Sequence, residues 1–202
     1  MKTITLFFLI VIAMPFSGFT QTIDNLSYIS PFHDGFAAIE KDGKWAFINE
    51  KGTIVVDFRT DLVTTTNTKG SYPIFTEKRC LIKTVKDGIS YFGYIDTSGK
   101  TIVEPQYLNA TNFHNGLAIV LELITETVGR NEALGKNVVY YKYYEVAIDV
   151  DGAVKTYLTK KPVNVVLDKK FLKKPPQITT KQIADELYAI KKKNKWTIIT
   201  SN

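Results

Sequence analysis

The chain has 202 residues, with 26 Lys and Arg against 20 Asp and Glu, and a single cysteine, Cys80. This length suits one or two domains, a hydrophobic content of 45% is enough to form a core, and a lone cysteine excludes an intramolecular disulfide framework. The positive charge lies at one end, since residues 21–154 carry 13 basic and 17 acidic side chains whereas residues 155–202 carry 12 lysines and three acids. A tail of lysines without arginine lacks the guanidinium forks preferred for reading bases, so we expect no nucleic acid partner.

Residues 1–20 have the pattern of a secretory signal peptide. Lys2 gives a short positive region, Ile4–Met14 is an apolar run too short to span a bilayer comfortably, and small residues from Ser17 precede Gln21. We expect cleavage after residue 20, a secreted protein in the periplasm or outside the cell, and no stable membrane insertion after cleavage. The alternative is a retained N-terminal anchor helix.

A hairpin pattern occurs three times along the chain. Each copy contains a strand, a polar turn closed by glycine and a second strand, with a shared Ile-Asn or Ile-Asp landmark at Ile48, Ile95 and Ile148. A tight turn and an apolar strand precede the landmark, as in Phe32–Ile39 and Phe113–Val120. Self-similarity at this spacing predicts an array of supersecondary units. The landmarks are 47 and 53 residues apart, so the units carry insertions of different length.

These motifs resemble the WG-repeat family, whose unit contains Gly-Lys-Trp-Gly-Tyr-Ile-Asp, a Gly-Lys turn and an Ile/Val-x-Pro-x-Tyr tail. The first copy keeps Asp42–Trp45, with Ala46 in place of the usual glycine. The second copy keeps three segments: Phe92–Asp96, Gly99–Lys100 and Val103–Tyr107. The third copy has lost its Trp-Gly pair at Tyr144-Glu145. The resemblance covers about residues 28–158 and implies an all-β repeat module with a binding function and no catalytic residues.

Short strands with closely spaced turn signals are predicted in the first two units. Phe36–Glu40 and Trp45–Asn49 predict a hairpin around Asp42-Gly43, a pair that accepts positive φ at low cost. Thr60–Tyr72 shows no apolar periodicity and is interpreted as an exposed loop or insertion. Pro105 is expected to end the last strand of the second unit, because proline cannot donate a hydrogen bond to a ladder.

The third unit contains the longest predicted hairpin. Leu117–Val128 and Val138–Val150 predict a protruding two-stranded ribbon around a polar tip. Its return strand carries tyrosines on both faces, so one face is expected either to be buried or to meet a partner. The alternative is packing of the tyrosines against apolar residues of the neighbouring strand. The candidate binding residues are Tyr140, Tyr141, Tyr143, Tyr144 and, in the first unit, Trp45.

Several residues with chemical potential are expected to be structural. Trp45 could stack on a sugar, but an aromatic ring aligned beside a hairpin favours a core position. His33 and His114 hold the same turn position in two copies, so duplication explains both, and no metal-ligand spacing surrounds them. Cys80 alternates with Ile82 on a predicted buried strand, which favours a core residue over a nucleophile or an intermolecular bridge. We predict no catalytic residue, no metal and no cofactor.

Residues 159–202 form a basic C-terminal segment in which one amphipathic helix is predicted. Thr179 and Gln182 suit a capping box, and Lys191–Lys193 suit the C-terminal end of a helix dipole. The apolar stripe consists of Ile183, Leu187 and Ile190. A last strand is predicted at Trp196–Thr200. The helix is expected to cap the repeats or to dock on a partner.

The sequence therefore predicts a mainly β protein, an array of about three degenerate antiparallel hairpin repeats with a C-terminal strand-helix-strand cap. The predicted organisation is a signal peptide over 1–20, a WG-like domain over 21–158 and the basic segment over 159–202. The expected function is non-catalytic binding or scaffolding, with a protein or a glycan as the partner. Two alternatives are an inhibitor or immunity-type protein that uses the Tyr-rich hairpin 121–145, and a hydrolase with an unrecognised site. The sequence does not decide between an open and a closed array, nor does it give the oligomeric state.

Overall fold

The computed structural model describes residues 22–132 and 135–200. Seventeen strands in five antiparallel sheets make up the regular structure of these residues. The predicted mainly β fold is confirmed, whereas the predicted C-terminal helix is wrong. No helix in the described ranges is long and apolar enough to cross a membrane. The predicted signal peptide lies outside the described residues.

Four of the sheets follow one plan, and we name them units 1 to 4 in chain order. Unit 1 contains β1 (Tyr28–Ile29), β2 (Phe36–Lys41), β3 (Lys44–Asn49) and β4 (Ile54–Arg59). A small hairpin of β5 (Thr65–Asn67) and β6 (Gly70–Tyr72) follows. Unit 2 contains β7 (Phe75–Thr76), β8 (Arg79–Lys86), β9 (Ile89–Ile95) and β10 (Thr101–Tyr107). Unit 3 contains β11 (Leu117–Asn131), β12 (Lys136–Asp149), β13 (Val154–Tyr157) and β14 (Val163–Val165). Unit 4 contains β15 (Thr180–Ala184), β16 (Leu187–Lys192) and β17 (Lys195–Thr200).

The cross-strand register shows that the predicted repeats are equivalent. The three landmarks pair with corresponding residues of the preceding strand: Ala37 with Ile48, Cys80 with Ile95, and Ala118 with Ile148. The prediction that these landmarks share one structural position is confirmed. The same register places Val146 opposite Val120, as Ala46 lies opposite Ile39. The Trp-Gly position of unit 3 is therefore held by Glu145-Val146. The sequence pattern places this position one residue earlier, at Tyr144-Glu145.

A side-chain acceptor closes the turn after each landmark. The Oδ1 atom of Asp96 accepts hydrogen bonds from the backbone nitrogens of Ser98 and Lys100, at 2.9 and 3.1 Å. Asn49 and Asp149 accept the same two bonds from the nitrogens two and four residues later. Asn and Asp suit this position because their short side chains can bond to their own backbone two residues on.

Acid is expected to weaken the turns that carry a carboxylate. Burial alone would raise the pKa of Asp96 and of Asp149, but the hydrogen bonds that each carboxylate accepts outweigh it and lower both pKa values. A lowered folded-state pKa stabilises the fold above the ordinary value of 3.8, and this contribution is lost as the pH falls below that value. We expect the double variant Asp96→Asn/Asp149→Asn to lose less stability than the wild type between about pH 5 and pH 2.

Chemical unfolding at each pH measures this difference in stability. Asparagine is a suitable replacement, because Asn49 forms the same turn in unit 1. The control is Asp42→Asn, which changes an exposed carboxylate in another turn. A double variant with the pH profile of the wild type would contradict the assignment.

Tight turns at the start of units 1 to 3 are linked from one unit to the next. Asp34-Gly35, Glu77-Lys78 and Asn115-Gly116 have positive φ at both positions, as type I′ hairpin turns require. The Oδ2 atom of Asp34 accepts a hydrogen bond from the nitrogen of Glu77 at 3.0 Å. The Oε2 atom of Glu77 accepts one from the nitrogen of Gly116 at 2.8 Å. These carboxylates hold three successive turns together along one side of the array.

Consecutive units stack face on face, and each junction has its own core. Phe47 of unit 1 packs on Phe75 of unit 2, with ring centroids 4.4 Å apart. Tyr94 of unit 2 packs on Phe113, which leads into unit 3, at 4.7 Å. Tyr188 of unit 4 packs in a cluster with residues of unit 3: Ile119, Ala147 and Leu158. Each of units 2 to 4 therefore packs on the unit that precedes it in the chain.

One contact between successive units is the same at two junctions. A Cβ atom on Gly99, in the landmark turn of unit 2, would lie 3.3 Å from Val56 of unit 1. A Cβ atom on Gly152, in the same turn of unit 3, would lie 2.8 Å from Val103 of unit 2. Val56 and Val103 hold equivalent positions on β4 and β10, opposite Phe47 and Tyr94. In units 2 and 3 this turn therefore packs on the last strand of the unit before it.

The C-terminal segment forms a fourth unit in place of the predicted helix. β16 and β17 pair in the same register as β2 and β3. The pair Leu187–Thr200 corresponds to Phe36–Asn49, and the pair Lys192–Lys195 corresponds to Lys41–Lys44. Lys193 and Asn194 both have positive φ, so the chain makes a two-residue hairpin turn there. The predicted strand at Trp196–Thr200 is confirmed within β17.

Burial explains why this segment is a sheet. A helix would place Ile183, Leu187 and Ile190 in one stripe and leave Tyr188 outside it. In the strand, Tyr188 and Ile190 alternate onto one face and are almost fully buried, and Tyr188 contacts unit 3. Ile183, which the helix prediction placed in the core, is exposed.

Two further predictions about loops and strand ends are corrected. Thr60–Tyr72 is not simply exposed, because Leu62 bridges to Ile82 of unit 2 and is buried. β10 continues through Pro105, where the pairing with β9 shifts. The backbone of β10 there runs close over Gly93, because a Cβ atom on this glycine would lie 2.3 Å from the Val103 carbonyl oxygen. A bulge lets proline lie within a strand, since it breaks the ladder at that point.

Candidate functional site

The structure contains a cleft of about 620 Å³ between the hairpin of unit 2 and the ribbon of unit 3. Tyr91 and Tyr107 line it from unit 2, and Tyr141 and Glu122 line it from unit 3. We call it the tyrosine cleft after these four residues. Its volume is in the range of pockets that hold small ligands, and such pockets combine aromatic walls with a few polar groups.

The repeat insertions create this cleft. Ile82 pairs with Gly93 in unit 2, whereas the equivalent pair in unit 1 is Ile39 with Ala46, so the hairpin of unit 2 is longer. The added length carries Tyr91 beside the still longer ribbon of β11 and β12. Unit 1 has a short hairpin and therefore no equivalent wall.

Glu122 is a partly buried charged residue in the lining of the tyrosine cleft. Its Oε2 atom is buried and has no hydrogen-bond partner in the described part of the chain. The nearby carboxylate raises the pKa of Tyr157, and burial followed by the same carboxylate raises the pKa of Tyr107. A buried polar atom without a partner is uncommon in folded proteins, so a hydroxyl or amine donor of a ligand would find a ready acceptor here.

Tyr91 and Tyr107 stay protonated at neutral pH, because the pKa of each is raised. Burial raises the pKa of Tyr91, with smaller contributions from Asp87 and Tyr141, and burial also raises the pKa of Tyr107. Their phenol groups are therefore available as hydrogen-bond donors, and their rings provide apolar faces. The cleft can bind a polar ligand that has apolar faces of its own.

The four predicted ribbon tyrosines divide between two faces of the ribbon. Tyr141 lies opposite Thr125 and lines the tyrosine cleft, whereas Tyr140 is 57% exposed and is not among the residues that line it. Tyr143 lies opposite Leu123 and packs with it, as the alternative prediction states. Tyr144 packs edge-on against the ring of Tyr157, with centroids 5.2 Å apart.

Trp45 lies in unit 1, away from the tyrosine cleft. Its ring packs edge-on against Tyr28 at 5.7 Å and lies beside the core shared with unit 2. The structure therefore does not bring Trp45 together with the ribbon tyrosines. Cys80 is fully buried in the same core, which confirms its prediction as a core residue, and burial raises the pKa of its thiol.

Both histidines lie at the start of a type I′ turn, as the alignment predicts. His33 exchanges main-chain hydrogen bonds with Phe36, and His114 does so with Leu117. The Nδ1 atom of His33 also lies 2.8 Å from the carbonyl oxygen of Phe75. Over residues 22–132 and 135–200, no group of three or more His, Cys, Asp and Glu side chains has the arrangement of a metal site.

Sequence reasoning missed Tyr91 and Glu122 as site residues. Tyr107 belongs to the family tail motif, which gives it no binding role. A usable signal was the longer hairpin of unit 2, because an insertion in one unit must lie beside the insertion of the next when the units stack. The alternation of Leu121, Glu122 and Leu123 also placed a carboxylate on the face opposite to the leucines.

Four stacked antiparallel sheets of one plan, with a ligand-sized cleft between two of them, define an all-β repeat protein. The family model described as WG containing repeat matches residues 25–45 and 92–122. Over these two segments the chain matches the WG-repeat family, as the motifs predict. The first match ends at the tryptophan of unit 1, and the second runs from β9 into β11. No curated protein and no solved structure matches the chain.

Proposed function

We propose that this protein is a secreted, non-catalytic binding module and that the tyrosine cleft is its ligand site. The observation that carries the proposal is the buried Oε2 atom of Glu122, which has no partner among the described residues and lies in a cleft lined by three tyrosines. The ligand class that suits this chemistry best is a saccharide. Sugars offer hydroxyl donors for a carboxylate and an apolar ring face for tyrosine.

The size and position of the cleft also support this proposal. A volume of about 620 Å³ accommodates one or two sugar rings. Gln106 adds an amide to the lining, and Lys86 and Asp87 stand at the hairpin end of unit 2. These polar groups allow a specific pattern of hydrogen bonds around the aromatic walls.

A glycan array followed by calorimetry on the best glycan tests the proposal. We expect Tyr141→Ala to weaken binding by at least about tenfold, because the variant removes one aromatic wall. Glu122→Gln is expected to weaken it as well, because the variant keeps the shape and removes the negative charge. The matched control is Tyr140→Ala on the neighbouring residue, which does not line the cleft. Equal loss in Tyr141→Ala and Tyr140→Ala, or no glycan bound by the wild type, would reject the proposal.

A second candidate function is inhibition of a partner protein by the outer part of the ribbon. Val128, Val138 and Tyr140 are exposed there on neighbouring strands, which gives the ribbon apolar side chains that a partner could bury. This candidate predicts a complex of defined stoichiometry with one protein. The double variant Val128→Asp/Val138→Asp would abolish the complex and leave glycan binding unchanged.

A further inference from the structure

The outer edge of β17 is unpaired among the residues that the structure describes. In units 1 to 3 the corresponding edge lies on β3, β9 and β12, and an antiparallel strand covers it: β4, β10 or β13. β17 holds the position of β3, because β16 and β17 share the register of β2 and β3. Unit 4 therefore offers a place for one more antiparallel strand.

Apolar side chains that other units bury are exposed at this edge. Ile198 lies opposite Ala189, as Phe47 lies opposite Ala38, and it is 63% exposed on the face of unit 4 opposite to the one that packs on unit 3. Phe47 is only 1% exposed, because Phe75 of the next unit packs on it. Trp196 on the same strand is 51% exposed. An exposed edge strand with large apolar side chains is a template for pairing with another strand.

A groove of about 980 Å³ opens between β17 and unit 3. Ile198 and Thr200 line it on one side, and Tyr157 and Val163 line it on the other. In units 2 and 3 the turn that leads into β10 or β13 packs on the preceding unit, as the contact of Gly99 with Val56 shows. The groove corresponds to the space that such a turn and strand occupy in the complete units.

Positive charge surrounds the groove. Lys160, Lys161, Lys191 and Lys192 line it and are exposed. The acidic side chain in the lining, Glu145, already accepts hydrogen bonds from unit 4. The positive charge of these lysines favours an acidic strand in the groove. It disfavours a second copy of the same lysine-rich strand, because like charges across an interface repel.

We propose that the β17 edge and this groove bind an acidic β-strand of a partner protein, which is added antiparallel to β17 and completes unit 4. Main-chain hydrogen bonds to β17 would provide affinity, and alternate side chains would provide specificity. This site is distinct from the tyrosine cleft and does not depend on the glycan proposal.

The complete units give the register of the added strand. Phe47 lies opposite Val56 and Tyr94 opposite Val103, so the residue opposite Ile198 should be a β-branched apolar residue. The next residue in each covering strand is an exposed carboxylate, Asp57 or Glu104. A partner strand that alternates apolar and acidic residues would place its carboxylates near the lysines of the groove.

The test uses the full mature chain and the peptide EIVVDFE, which is Ile54–Phe58 flanked by two glutamates. Calorimetry is expected to show binding that weakens with salt, and the peptide KIVVKFK is expected to bind at least about tenfold more weakly. The acidic peptide should also protect the amides of residues 195–200 from hydrogen exchange. N-methylation of alternate residues of the peptide should abolish binding, because it removes donors to the β17 edge.

Protein variants distinguish this site from other occupants. Ile198→Asp is expected to weaken the binding of the acidic peptide by at least about tenfold. Val85→Asp, at an exposed valine of unit 2, should leave the affinity for this peptide unchanged. The proposal is overturned if the acidic and lysine peptides bind equally, if neither binds, or if protection falls outside β17. It is also overturned if sedimentation shows a dimer of the wild type that Ile198→Asp abolishes, because the occupant is then a second copy.

Discussion

Glu145→Ala is expected to detach unit 4 from the rest of the array. The Glu145 side chain is buried at the position that the family motif gives to tryptophan. Its two oxygens accept hydrogen bonds from the Thr179 nitrogen, the Thr179 hydroxyl and the Thr180 nitrogen, at 2.8, 2.7 and 2.9 Å. Alanine would leave two main-chain donors without an acceptor, which corresponds to about 4 kcal/mol.

Hydrogen exchange measured by mass spectrometry reports this effect unit by unit. Residues 180–200 should lose their protection in Glu145→Ala, whereas units 1 and 2 should keep theirs, because their junction does not involve Glu145. The control is Glu126→Ala, which removes a glutamate paired with Lys142 on the exposed part of the same ribbon and should change stability by less than about 1 kcal/mol. Unchanged protection of unit 4 in Glu145→Ala would contradict the contact.

Gly93→Ala is expected to have the second large effect, on the stability of unit 2. The added Cβ atom would lie 2.3 Å from the Val103 carbonyl oxygen and 2.7 Å from the Pro105 nitrogen, and both are backbone atoms that cannot rotate away. We expect a loss of about 3 kcal/mol in the free energy of unfolding, measured by chemical denaturation. Unit 1 has Ala46 at this position, and its pairing of β3 with β4 also shifts there, but β10 has one residue more across the shift than β4 has. The requirement for glycine therefore comes from the larger bulge of β10 and not from the hairpin itself.

Gly129→Ala is the matched control for Gly93→Ala. Nothing lies within 4 Å of a Cβ atom at Gly129, and its φ is not in the left-handed region. We expect its unfolding free energy to stay within about 0.5 kcal/mol of the wild type. Equal stability of the two variants would show that the close approach of β10 to Gly93 is wrong.

The repeated hairpins could be predicted from sequence because their turns depend on local chemistry. Asn49, Asp96 and Asp149 bond to the backbone two and four residues later, so the residue type and the geometry are directly linked. Pairs such as Asp42-Gly43 and Asn115-Gly116 likewise accept positive φ at low cost. The landmark spacing then indicated which hairpins are equivalent.

The fourth unit escaped prediction because its turns use uncommon residues. Lys193 and Asn194 form the hairpin turn that Asp42 and Gly43 form in unit 1, and lysine carries no turn signal. A helix is also favoured by the spacing of three apolar residues, Ile183, Leu187 and Ile190, which matches one face of a helix. The usable signal was Lys195-Trp196, which repeats Lys44-Trp45 of unit 1 in the same register.

The tyrosine cleft could be predicted only in part, because its residues come from different units. The ribbon tyrosines were visible in the sequence, but which of them lies in a cleft depends on how the neighbouring hairpin of unit 2 packs beside the ribbon. Tyr141 and Tyr140 are adjacent in sequence and differ completely in surroundings. Glu122 has no sequence signal of a site, because its place in the cleft depends on how the folded chain buries its Oε2 atom.

Four equivalent hairpin units are stacked along the chain, and the last of them consists of residues 180–200. Nuclear Overhauser contacts in solution test it most directly. A fourth hairpin unit predicts cross-strand main-chain contacts between Ala189 and Ile198 and side-chain contacts from Tyr188 to Ile119. Contacts between residues three apart along 180–192, which a helix would give, together with the absence of contacts from Tyr188 to unit 3, would contradict it.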